Sequence, residues 1–112
     1  MTQSAMRHWH ITVTVSGAAM EPALIRAALV RLSEERPFMS SMRYAADRAE
    51  VSFWDEGESM LDVASLALRL WSEHRVSANL PAWEVVGLEV LERFLYDGGR
   101  PGSVVSPTLI PV

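Results

Sequence analysis

Two imidazoles stand two residues apart in His8-Trp9-His10, and in an extended chain that spacing turns both to the same side. A histidine pair on one strand face is the start of a site for zinc or another borderline ion, with Glu89 as a third ligand if its strand lies alongside. The same two rings, joined by Trp54, would also line a small-molecule cleft. Histidine carries protons near neutral pH, and an aromatic wall supplies apolar contact. The plainer use of His8, His10, Trp54 and Glu89 is as a subunit or partner interface, since tryptophan concentrates at interface centres.

Little else in the chain competes for chemistry. There is no cysteine, which removes disulfides, thiolate ligands and a cysteine nucleophile. All ten basic residues are arginine, so lysine Schiff-base and P-loop chemistry are excluded. There is no glycine-rich phosphate loop, Ser-His-Asp signature or aromatic RNA-binding motif, and no motif names a cofactor. His74 falls near a helix end, where a positive charge favours the helix dipole, and Glu34-Glu35 reads as solvated charge.

A net charge of −4 lacks the basic surface that phosphate neutralisation requires, so no nucleic-acid partner is expected. No run of about 18 apolar residues is present to span a membrane. Met1 to Arg7 is too short and polar for a signal peptide, and the expected location is the cytoplasm.

The elements that must position these residues follow from periodicity. His8 to Ser16 alternates with period two, placing Trp9, Ile11, Val13 and Val15 on one face and His8, His10, Thr12 and Thr14 on the other. Gly17 then lets the chain turn. A helix opens at Pro22, runs through Leu24, Ile25, Ala28, Leu29 and Leu32, and stops before Pro37. Phe38 to Ala45 and Ala49 to Asp55 read as a hairpin about a short polar break. Ser59 is a helix N-cap, and the helix it starts runs to about Arg75 with more apolar surface than one buried face needs. Trp83 to Glu92 reads as a last strand because Gly87 weakens a helix there by about 1 kcal/mol.

The order strand, helix, strand, strand, helix, strand predicts an α+β, ferredoxin-like βαββαβ fold. Its four-stranded antiparallel sheet has the order 4-1-3-2, with two helices on one face and the other face open. Residues 1–97 are expected to form a single domain and 98–112 an extended or flexible tail. Leu24, Ala28, Ala64 and Trp71 should meet Trp9, Ile11, Val13, Val15, Val51, Phe53, Val86, Leu88 and Val90. The open face should carry His8, His10, Thr12, Thr14, Ser52, Trp54, Val85 and Glu89.

Over Arg7 to Arg93, this order of elements resembles small ferredoxin-like families whose open sheets pair into dimers, such as the dimeric α+β barrels and the ACT regulatory domains. The resemblance implies a homo-oligomer, chiefly a homodimer, that binds a small molecule or partner protein through the open face. The alternatives it leaves are a small enzyme of the dimeric α+β barrel type and a metal-binding protein through His8, His10 and Glu89.

Overall fold

A computed structural model describes residues 6–93, 95 and 109–112. The chain begins with β1 (Arg7–Ser16), whose alternation sorts its side chains between the two faces of the sheet. Trp9, Ile11, Val13 and Val15 are buried in the core. After α1 (Pro22–Glu35) come β2 (Met39–Ala45) and β3 (Arg48–Gly57), joined by the two residues Ala46 and Asp47, then α2 (Met60–His74) and β4 (Glu84–Glu92). No described helix is long and apolar enough to cross a membrane.

Local chemistry accounts for the ends of these elements. Pro22 opens α1 where a missing N–H costs nothing, and α1 ends just before Pro37. The Ser59 hydroxyl accepts from the Asp62 backbone N–H and caps α2, a contact of about 1 kcal/mol. Asn79 adopts φ 52°, a left-handed conformation that asparagine tolerates, in the loop after α2. Arg31 on α1 reaches this loop, donating to the Ala78 and Asn79 carbonyls at 2.7 and 3.2 Å.

The expected four strands are joined by a fifth. All pairings are antiparallel and the order is β4-β1-β3-β2-β5, where β5 is Ile110–Pro111. Of the expected tail, residues 98–108 lie outside the described residues, whereas Leu109 is buried and β5 pairs with β2. Proline punctuation hid this strand: Pro111 cannot donate to a ladder, but an edge position tolerates it.

The core lies between the helices and one sheet face. Ile25, Ala28, Leu29 and Leu32 of α1 and Val63, Ala67, Leu70 and Trp71 of α2 close over Ile11, Val13, Val51 and Phe53. Each fully buried side chain of this size contributes roughly 1.5–3 kcal/mol.

Four expected core positions differ, among them Leu88, which is exposed near the outer edge of the sheet although it stands opposite the buried Val13. Leu24 is 57% exposed because the buried stripe of α1 begins one residue later, at Ile25, and Ala64 is only partly buried at the margin of the α2 stripe. In β4 the register against β1 shifts between Thr14 and Val15, so Thr14 faces Gly87 while Val15 faces Val85. The extra residue, Val86, is 61% exposed and Val85 packs against the core, the reverse of the strict alternation.

Trp83 sits just before β4. Its ring lies parallel to Trp71 at 6.4 Å, and its Nε1 donates to the Ala18 carbonyl. A Cβ on Gly17 would stand 2.2 Å from Trp83 Cδ1, so the ring itself requires glycine there.

Candidate functional site

The sheet face turned away from the helices presents three rows of side chains across β4, β1, β3 and β2. Their makeup follows from the outward half of each strand's alternation. One row reads Leu91, His10, Trp54; the next Glu89, Thr12, Ser52, Ser41; the third Gly87, Thr14, Glu50, Arg43. The rows differ in character along β1. The first is apolar and aromatic, the second is mainly hydroxyl, and the third carries a carboxylate and a guanidinium.

His10 and Trp54 meet edge-on, with ring centroids 5.0 Å apart and planes at 67°. His10 is 6% exposed although it lies on the face turned away from α1 and α2, and Trp54 is partly buried. Edge-on aromatic pairs of this kind contribute about 0.5–1.5 kcal/mol beyond burial. In the second row the Thr12 and Ser52 hydroxyls are hydrogen-bonded at 3.0 Å.

His8 shares the face but not the row. Its Nε2 lies 2.9 Å from Glu56 Oε1, and both side chains are exposed. Glu56 was not among the expected site residues, yet the register gave a signal: it lies two residues beyond Trp54, as His8 lies two before His10. Glu89 lies opposite Thr12, one row from His10, whose neighbour on β4 is Leu91. Among the described residues no group of three histidine, aspartate or glutamate side chains is placed to hold a metal ion.

Arg7 ties down the start of β1. Its Nε and Nη2 donate to the two carboxylate oxygens of Glu92 at 2.6 and 2.7 Å, and its Nη1 reaches the Glu58 carbonyl at 3.3 Å. The guanidinium also lies over the Trp9 ring, 4.6 Å from its centroid. The hydrogen bonds from Arg7 hold the Glu92 carboxyl below its ordinary range.

A second cluster brings together serine, glutamate and histidine without forming a nucleophile–base pair. Ser77 Oγ donates to Glu35 Oε1 at 2.6 Å, and His74 Nδ1 donates to the same oxygen at 2.7 Å. The Ser77 proton is directed at the carboxylate and not at the imidazole, so serine and histidine do not form a nucleophile–base pair. The hydrogen bond from Ser77, then that from His74, lowers the Glu35 carboxyl from its ordinary range. The cluster fastens the last residue of α1 to the end of α2, which gives Glu35 and His74 a structural role.

Neither a curated protein nor a solved structure matches the chain. A protein family does, described as a domain of unknown function (DUF8830), over residues 8–102. That span takes in both helices, β2 to β4, nearly all of β1 and the whole His10–Trp54 row. The chain belongs to the DUF8830 family.

Proposed function

We propose that this chain is a non-enzymatic, cytoplasmic binding module that pairs with a second copy through the sheet face turned away from α1 and α2 and receives a small ligand or partner protein there. In this reading β1 to β4 and the two helices are a ferredoxin-like unit to which β5 has been added. The observation that carries the reading is the His10–Trp54 pair, a packed aromatic contact on the sheet face turned away from α1 and α2. An aromatic centre bordered by hydroxyl and charged rows has the composition of a protein interface, apolar in the middle and polar at the rim. A two-fold axis through the sheet would present the same rows to each other, as isologous pairing requires.

Native mass spectrometry of wild type, His10→Ala and Trp54→Ala, with circular dichroism to verify the fold, tests the proposal. The expected result is a wild-type dimer, with or without a retained small molecule, and about ten-fold or greater weakening of association in Trp54→Ala. A monomeric, ligand-free wild type, or variants that keep the same subunit count and ligand, would remove the proposal.

A further inference from the structure

We propose that the outer edge of β2 is a strand-accepting slot for an extended, apolar peptide of a partner protein, and that Leu109–Val112 is its resident occupant. β2 offers seven residues, Met39–Ala45, and among the described residues β5 pairs with two of them: Arg43 opposite Pro111 and Tyr44 opposite Ile110. One further main-chain bond follows, from Val112 N–H to the Met42 carbonyl at 3.0 Å. The resident shows what the slot selects. Leu109 is 6% exposed and acts as the anchor, Ile110 and Val112 are partly exposed, and Pro111 is accepted where no N–H is needed.

The edge also has room beside Met39, Ser40 and Ser41. A groove of about 390 Å³ runs along β2, lined by Met39, Ser40, Ser41, Met42 and Arg43, with Ser33 of α1 at the side and Pro111 and Val112 of the resident strand at one end. That volume falls within the range of ligand-binding clefts. The register of β2 against β3 shifts between Met39 and Ser41, which alters the backbone next to the groove. A longer strand running in the direction of β5 would extend over Met39, Ser40 and Ser41. The two methionines offer adaptable apolar contact, and the serine hydroxyls can satisfy main-chain groups.

Addition of a strand to an open sheet edge is a recurring mode of peptide recognition, in which main-chain bonds give affinity and alternate side chains give specificity. The resident makes few such bonds, so it opens at a small part of the cost of global unfolding. Tethering gives it an effective concentration on the order of millimolar, which an incoming peptide exceeds only by pairing over more of β2. The inference concerns the sheet edge and stands apart from the function proposed for the face.

Two synthetic peptides test it against the full chain: one copying residues 106–112, and one carrying the same residues followed by Val-Thr-Val. The longer is expected to bind at least about ten-fold more tightly, with NMR shift changes confined to Met39–Ala45, Ser33 and Leu109–Val112. Leu109→Asp, which expels the resident, should bind both peptides about ten-fold more tightly than wild type. If Leu109→Asp does not fold, Ile110→Asp at the half-exposed position takes its place. Absence of binding to wild type and variant alike would overturn the proposal, as would shift changes centred on His10 and Trp54. Exchange of Leu109–Val112 between two copies of the wild type would assign the slot to a second copy and overturn it too.

Discussion

At one edge of the sheet β4 presents nine residues, Glu84–Glu92, paired among the described residues with β1 alone; at the other, β2 presents seven and is partly paired with β5. The two edges face the same hazard, since exposed strand backbone is a template for pairing with another chain. β4 answers with charge and shape. It carries Glu84, Glu89 and Glu92, and the bulge at Val86 breaks its regularity. β2 carries no carboxylate, and its protection is occupancy by Leu109–Val112. An edge defended by charge and shape resists every strand, whereas an occupied edge must already have the form that accepts one. With no lysine in the chain, glutamate takes the gatekeeping role on β4.

The largest expected effect tests occupancy. Leu109→Ala should cost about 2–3 kcal/mol in urea unfolding, because it removes the buried anchor of β5, while Val86→Ala on the opposite edge should stay within about 0.5 kcal/mol. Equal losses at the two positions would erase the contrast. A smaller effect comes from disarming the other edge. Glu84→Thr combined with Glu89→Thr should leave the fold intact and introduce concentration-dependent association in sedimentation velocity. If the double variant sediments as wild type does, charge is not what guards β4.

The smallest effect sharpens the role of Glu92. Its carboxyl is held below the ordinary range by the hydrogen bonds from Arg7. The folded carboxyl therefore titrates at lower pH than the unfolded one. Its stabilisation is full above the unfolded value of about 4.3 and is lost as pH falls through the folded value. The melting temperature of Arg7→Gln should accordingly fall below that of wild type at neutral pH, with the gap narrowing in acid. A gap independent of pH would show that Arg7 acts through its packing on Trp9 instead.

Legibility in the sequence followed how local each cause was. The parity of β1 could be read from Trp9, Ile11, Val13 and Val15 because a strand with one buried face repeats every second residue. Both helices were readable from Pro22, Pro37 and Ser59, which act within a turn of where they stand. The inversion at Val85 and Val86 was not readable, since both are valines and only the pairing with Thr14 and Val15 decides which one bulges. β5 was hidden for a similar reason: its partners, Arg43 and Tyr44, lie 68 and 66 residues away from Pro111 and Ile110. Alternation puts the histidines and Trp54 on one face, and antiparallel register brings the histidines near Trp54 on one side and Glu89 or Leu91 on the other; the choice of Leu91 for His10 is visible only in the structure. The burial of His10 was not readable either, because it depends on neighbours that period-two alternation does not report.

The indole of Trp83 has a further consequence. It fills the space over Gly17, bonds to the Ala18 carbonyl and lies flat against Trp71, so the connection after β1, the end of α2 and the approach to β4 share one side chain. None of the three can loosen without wetting that ring. Their amides should therefore exchange with solvent at a common rate, and tryptophan emission should shift to the red at the same denaturant concentration as the exchange protection is lost.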